Sequence, residues 1–445
     1  MRETHTVQTS IFDFYANSER GAHLQSISRI LDQHPELIEL IKKDLIIDNV
    51  RDTGRKGLSV ESVFRCIILK QTEQISYKDL SNNLAEPGSY RAFARLDRDC
   101  YPSKAALSTN IRKIKPETLE KVFETLSVSI FRSGQIDHKV LRMDATVVES
   151  NILEPLDSQL LNDGVRVISR LISKSREETG IRIRLKDHRP ESRSLSASIF
   201  YAKKPQKDKL YEKLIPLAFK VVKQCDKAVS RVIHASGNTI NYAWIKKMEH
   251  YQSLLKKVID QAQRRVFGGE SVPASEKIVS IFEPHTDIIV KGERKIQYGH
   301  KINLSTEKNG FITALNIEKG NPIDSDCYIP LLKKFKKTYK CTPDVTISDG
   351  CFASNNNVKN GKNIGVSKNV FHKKNGIKLS DMGVKQKTLK KLKDFRAGIE
   401  ANISELKRVF GLRVATWKGE SGFKSFVWAS AISYNLSRWA RLQHE

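Results

Sequence analysis

The segment DFRAGIEANISELKRVFG, Asp394 to Gly411, decides how the rest of the chain is read. Phe395, Ile399, Ile403, Leu406 and Phe410 recur at helical spacing and form an apolar stripe. Beside it Arg396, Glu400 and Lys407 form a second stripe, at spacings of four and seven. A lone carboxylate between two cations, at the edge of a buried face, has two readings. It is either a solvent-side ion-pair ladder or a carboxylate turned toward a site inside the protein. What the other elements supply decides between them.

Working outward, HKVLRMDATVVE (138–149) is rich in Val, Leu, Met and Thr and reads as a strand with Asp144 in its middle. Farther on, KIVSIFEP, TDIIVKG, IQYGHKINLS and GFITALNIE read as strands, the last two joined as a hairpin by TEKNG. DSDCYIPLLKKFKKTY follows as a helix, and PDVTISDGCFAS as a strand ending at Asp349-Gly350. The run Asn355 to Lys378 reads as lysine-rich turns. Alone, a strand Asp is commonly structural and SDG is a common turn signal. Their order is the stronger fact: strand with Asp, hairpin, helix, strand ending in Asp, helix with Glu. That is the order of an α/β RNase H-like catalytic domain, a mixed five-stranded sheet flanked by helices.

The chemistry explains why these positions matter. In-line phosphodiester cleavage or joining is served by two divalent ions roughly 3.5–4 Å apart, which clamp the attacking and leaving oxygens. Mg²⁺ is hard, prefers oxygen and keeps much of its water, so a few carboxylates suffice. Asp144, Asp349 and Glu400 are the candidate catalytic residues and metal ligands.

Composition agrees with such a partner. The 445 residues suffice for two or three domains, and 77 Lys+Arg against 50 Asp+Glu leave a net charge of +27. That excess points to nucleic acid. An anionic membrane is the rival, but neither a basic amphipathic helix nor a lipidation motif accompanies the charge. No apolar run is long enough for a membrane helix, and MRETHTVQTSIFDFY lacks the apolar core of a leader, so a cytoplasmic, nucleoid-associated protein is expected. The six cysteines form no CxxC pair and read as reduced, structural thiols.

Residues 57–130 read as short helices separated by turns, carrying Arg91, Arg95, Lys104, Arg112 and Lys113. This suits a helix-turn-helix-like DNA-binding unit; a helical bundle with solvated cations is the alternative. Residues 156–275 are mainly helical, with LDSQLLNDGVRVISRLISK and YAWIKKMEHYQSLLKKVIDQAQRRVF amphipathic, and GGESVPASEK closes them as a linker. The expected domains are therefore an all-α DNA-binding domain at 1–130, a catalytic domain at 131–155 and 276–445, and a helical insertion at 156–275.

Taken together, these residues resemble bacterial insertion-sequence transposases of the DDE class, in a group (ISNCY-like) whose signature is Tyr-x2-Arg-x3-Glu-x6-Lys around the third acid. Arg396, Glu400 and Lys407 match that spacing, while Lys393 stands where the signature has Tyr. MDATVVESNI, SIFEPHTDIIVKG, YGHKINLS, TISDGCFAS and LKQTEQISYKDLSNNL look like the same family, and the resemblance runs from about residue 57 to the end. It implies an enzyme that binds its element's terminal inverted repeats, cleaves 3′ ends and joins them to target DNA. Two Mg²⁺ ions would serve, with Mn²⁺ able to substitute, and a homodimer would hold the synaptic complex. It implies phosphate contacts for Arg396 and Lys407, and Lys301, beside His300, could also approach the scissile phosphate. The eleven lysines between Asn355 and Phe395, against two aspartates, would track the DNA backbone. Another RNase H-like endonuclease and a non-catalytic, transposase-derived DNA-binding protein are the competing functions.

Overall fold

The computed structural model of the chain describes residues 4, 18–46, 57–86, 88–235, 241–290, 295–372 and 376–443. Most of the amino-terminal stretch read for a leader, and residues 373–375 of the lysine-rich run, lie outside them. The chain divides into two compact units, Met1–Glu149 with His300–Glu445, and Ser150–Gly299.

The first unit opens with α1 (Glu19–Gln33), α2 (Glu36–Leu45), α3 (Val60–Thr72), α4 (Tyr77–Ala85), α5 (Ser89–Ala94), α6 (Lys104–Lys113) and α7 (Pro116–Arg132). Side-chain caps set several starts: Ser59 accepts from the Ser62 N–H, Ser103 from Ala106, and Ser76 with Asp79 forms a capping box. α3 is buried from Val60 to Gln71, so it is a core helix rather than a surface one.

The sheet of this unit contains β1 (Val140–Ser150), β3 (Gln297–Thr306), β4 (Ile312–Ile317), β5 (Val345–Ser348) and β6 (Lys368–Phe371), in the spatial order β4-β3-β1-β5-β6. β5 runs parallel to β1 and to β6, whereas β3 and β4 form an antiparallel hairpin. A two-residue β7 (Val414–Ala415) pairs with β1, and β2 (Asp287–Ile289) pairs antiparallel with Gln297–Gly299 in the second unit. Among the described residues the sheet thus has seven strands rather than the five expected, the two extra ones being very short.

Helices α13 (Asp324–Tyr339), α14 (Asn355–Ile364), α15 (Gln386–Val409) and α16 (Gly419–Leu442) complete the unit. Tyr328 of α13 bonds Thr346 and Asn369, which marks one face of the sheet. Arg142, opposite Ile347 in the register, points to the other face, where it bonds α15. α16 is buried along most of its length. It joins the amino-terminal helices through Gln71, which donates to Phe426 O and Ser430 Oγ, and through Phe123 against Trp428. It meets the hairpin through Asn435, which makes two hydrogen bonds with the Ile312 backbone. One continuous apolar core therefore runs from Leu24 to Ala440. Residues 1–130 share that core with the sheet instead of forming the separate domain expected.

Two local expectations are corrected. KIVSIFEP is not a strand. Ile278 and Ile281 are buried, but its N–H groups are taken by side chains: Ile278 by Gln261, and Phe282 and Glu283 by Ser280. The run read as lysine-rich turns contains α14 and β6. Ser354 caps α14, Gly365 ends it at φ 116°, and Gly361 lets it approach Asn369, whose Oδ1 would lie 1.9 Å from an added Cβ.

The second unit contains α8 (Asp157–Ser173), α9 (Ser175–Thr179), α10 (Arg189–Tyr201), α11 (Gln206–Ala235) and α12 (Tyr242–Val266) around its own core. Gly164 of α8 lets Leu255 of α12 pack against its backbone; a Cβ there would lie 2.6 Å from Leu255 Cδ1. The unit is wider than the expected 156–275 insertion, taking in the chain on both sides. All six cysteines are free thiols. No helix among the described residues is long and apolar enough to cross a membrane.

Candidate active site

Met143 of β1 faces Ser348 of β5 on the last rung of the parallel ladder, and Asp144 and Asp349 are the residues that directly follow this pair. Neighbouring strands run about 4.8 Å apart, and alternation turns both acids to the α15 face of the sheet. Each acid is steadied by its own backbone: Asp144 Oδ1 accepts from the Ala145 N–H at 2.7 Å, and Asp349 Oδ1 from the Gly350 N–H at 2.7 Å. Asp349 also caps the 3₁₀ turn Gly350–Phe352, which follows the end of β5.

α15 brings the third acid. Its residues Leu389, Ile399, Asn402 and Leu406 are buried, as the apolar stripe requires. Arg396 leaves the same helix toward β1, its Nη2 lying 3.1 Å from Asp144 Oδ2 and its Nη1 3.2 Å from Glu400 Oε1. The guanidinium thus bridges the first and third acids. Arg396 is nearly buried, Asp144 partly so, and the Glu400 side chain is 65% exposed. An isolated surface ladder would leave both Arg396 and Glu400 in water and would not reach another element.

The residues suit a hard cation in part. Asp144 within β1 and Asp349 just past the end of the neighbouring β5 offer carboxylate oxygens, the donor type Mg²⁺ prefers. Glu400 is held on Arg396, and among the described residues no three acidic, His or Cys side chains gather into one metal cluster.

The remaining sequence-derived candidates separate clearly. Lys104, Arg112 and Lys113 are exposed, and Lys407 is half-buried on α15. Arg91 donates to the carbonyls of Leu84, Asp97, Arg98 and Cys100 and lies over Tyr101, so its guanidinium ties the α4–α6 region together. Arg95 donates to Glu61 at 2.7 Å and Asp32 at 2.6 Å, in a network that also holds buried Arg65. Lys301 is buried, 2.8 Å from Asp324 Oδ1 at the start of α13, the helix opposite the acids. His300 packs edge-on against Phe423. Arg91, Arg95 and Lys301 are therefore committed to partners within the fold.

Sequence reasoning missed Arg142. Two residues before Asp144 and nearly buried, it donates to Thr306 Oγ1 on β3 at 2.8 Å, and to Phe395 O at 3.0 Å and Asn402 Oδ1 at 2.9 Å on α15. Burial lowers its pKa, and the charge of Glu307 opposes the shift. Asn402 in turn donates to Tyr434 OH, which donates to Gly310 O. The signal available was Gly398, a glycine in a helix interior, where a packing reason is expected.

A family model described as Transposase DDE domain matches residues 290–436, and one described as Transposase domain (DUF772) matches residues 12–113. The chain belongs to the insertion-sequence transposases of the DDE type. No curated protein and no solved structure matches the chain. In this transposase the DDE match includes Asp349 and Glu400 but begins after Asp144, so the first acid is tied to the other two by register and by Arg396. Neither match includes residues 150–289, most of the second unit. Membership implies DNA transposition and DNA binding, and transposases of this type normally use divalent metal ions.

Proposed function

We propose that this transposase, of the group with the Tyr/Arg/Glu/Lys signature, binds the ends of its element, hydrolyses the 3′ ends and transfers them to target DNA. The observation that supports the reading is that Asp144 and Asp349 directly follow the paired Met143 and Ser348 on neighbouring parallel strands, while Arg396 bridges Asp144 to Glu400. Asp144, Asp349 and Glu400 would hold two Mg²⁺ ions, or Mn²⁺. When bound, these ions would polarise the phosphoryl group and lower the pKa of an attacking water.

The chain's own residues do the rest. The backbone N–H groups of Ala145 and Gly350 orient the two aspartates. Arg396 holds Glu400 on the side of the helix that faces Asp144 before DNA arrives, and with Lys407 it offers charge-assisted donors to phosphate beside the cut. Water attacks in the first step and a 3′-hydroxyl in the second, and one set of carboxylates can serve both. The exposed Lys104, Arg112 and Lys113 on α6, in a helix-turn-helix-like arrangement, contribute to binding the ends, and two ends call for a homodimer in the synaptic complex.

Short duplexes carrying the terminal repeats, incubated with the full chain and Mg²⁺, test this. Cleavage followed by joining to a second duplex is expected, with Asp144→Asn, Asp349→Asn and Glu400→Gln each abolishing both while DNA binding persists. Cleavage without joining would favour a plain endonuclease. Binding without cleavage would favour a non-catalytic descendant.

A further inference from the structure

The second unit carries a feature that the catalytic chemistry does not use. Between α9 and α10, residues 181–188 (IRIRLKDH) form neither helix nor strand. Ile183 and His188 are buried, Ile181 and Leu185 pack against the core of the unit, and Arg182, Arg184 and Lys186 are exposed. Apolar-in and basic-out alternation from 181 to 186 is the pattern of an extended chain lying on a core. It is fastened at three points: the Ile181 N–H donates to Thr179 Oγ1, the Ile183 N–H to Ser175 Oγ, and Gln224 of α11 donates to Lys186 O.

The cations on this strap are not internally neutralised. Among the described residues, no salt bridge or side-chain hydrogen bond engages Arg182, Arg184 or Lys186, nor Arg176 beside them. The neighbouring acids are already taken: Asp187 by Arg189 at 2.8 Å and Glu177 by Lys174 at 3.4 Å. The four cations line a cleft of about 510 Å³ between the strap, the end of α8, and Gln224. Like charges held this close repel one another unless an anion lies among them. Arginine also presents a planar fork that matches phosphate oxygens, which a solvated lysine does not.

We propose that the strap, with Arg176, Arg182, Arg184 and Lys186, is a second DNA-binding surface that grips the phosphate backbone without reading sequence. The proposal rests on the transposase reading, which supplies DNA as the polyanion, and adds a site outside both family matches. Such contacts contribute affinity by releasing counterions, with a slope of log Kobs against log[salt] of about −0.9 per phosphate contact on duplex DNA.

The test uses the full-length chain and a duplex lacking the terminal repeats, with affinity measured across a salt series. Replacing Arg182, Arg184 and Lys186 with Ala should flatten the slope by about 2 to 3 if each makes one phosphate contact. Arg182→Lys with Arg184→Lys should retain most of it. A control of equal charge change in the same unit, Lys203→Ala with Lys204→Ala and Lys209→Ala, should flatten it markedly less. Unchanged melting of each variant excludes unfolding as the cause. An unaltered slope in the strap variant, or equal effects in strap and control, would overturn the assignment. A wild-type chain that binds no duplex at all would instead overturn the transposase reading beneath it.

Discussion

The guanidinium of Arg142 occupies the space that a side chain at Gly398 would fill: a Cβ there would lie 1.9 Å from Arg142 Nη1 and 2.8 Å from Cζ. The glycine opens α15, and the arginine from the strand of the first acid enters to bond the Phe395 carbonyl and Asn402. The helix carrying Glu400 is thereby fastened to the strand carrying Asp144 by a contact that involves neither acid.

That contact reverses an ordinary rule. Gly→Ala inside a helix usually stabilises by about 1 kcal/mol. Here we expect Gly398→Ala to destabilise by about 1–3 kcal/mol, because Arg142 is displaced and buried partners lose their donors. Arg142→Met should cost a similar amount. Denaturant midpoints measure both, and a Gly398→Ala chain as stable as wild type would show that the arginine moves aside at no cost.

The shared core makes a prediction about truncation. In a fragment of residues 1–130, the surfaces of α3 and α7 that α16 covers would be bare, including Gln71 and Phe123. We expect that fragment to aggregate or to melt without cooperativity. A chain lacking only the second unit's helices should keep a cooperative transition for the first unit, whose core they do not enter. Calorimetry on the two separates the cases, and a 1–130 fragment that unfolds cooperatively would restore an independent amino-terminal domain.

Lys70 gives a pH dependence. Burial lowers its pKa from 10.5 to about 8, with the nearby Asp79 charge opposing. Its ammonium donates to Ile75 O at 2.7 Å and lies 4.8 Å from the centre of the Tyr77 ring. The folded pKa lies below the unfolded one. Between about pH 8 and 10.5 the unfolded state therefore binds the extra proton, and stability from this group rises with pH. Below pH 8 both states are charged and the folded state carries the whole desolvation cost. Relative to Lys70→Met, wild type should gain up to about 3 kcal/mol across that window. The Cys66 thiol, pushed up to about 12, acts in the opposite direction but is common to both chains and cancels. A stability difference that stays flat from pH 8 to 10.5 would count against the buried ammonium.

What the sequence disclosed follows from which forces leave periodic marks. The apolar stripe of 394–411 and the β-branched runs around Asp144 and Asp349 are periodic, so the elements bearing the three acids were legible. α14 and β6 were not, because NNNVKNGKNI has little apolar content and is held by a serine cap, a left-handed glycine and the fit of Gly361 to Asn369. KIVSIFEP misled in the other direction: its apolar pattern faces a core, but Gln261 and Ser280 satisfy N–H groups that a strand would have paired. The union of the first helices with α16 depends on contacts between opposite ends of the chain, which no local pattern records. Arg91, Arg95 and Lys301 looked like free cations because charge is visible in a sequence and its partner is not.

The last prediction concerns Arg396. It lies 3.1 Å from Asp144 and 3.2 Å from Glu400, so without DNA it neutralises two of the proposed metal ligands. A cation placed there competes with Mg²⁺ for the same carboxylates. If it also donates to phosphate beside the cut, its removal should affect two quantities in opposite directions. Arg396→Ala should bind Mn²⁺ more tightly than wild type in the absence of DNA, because its competitor is gone. The same variant should cleave DNA about 10²–10³-fold more slowly at saturating metal, because a positioned donor to the reacting phosphate is lost. Arg396→Lys should recover part of the metal competition but less of the rate, since an ammonium lacks the fork. Isothermal titration with Mn²⁺ and single-turnover cleavage read the two effects separately. A structural ion pair alone predicts about 0–1 kcal/mol of stability and no selective loss of rate. Weaker metal binding together with near-normal cleavage would return Arg396 to that role.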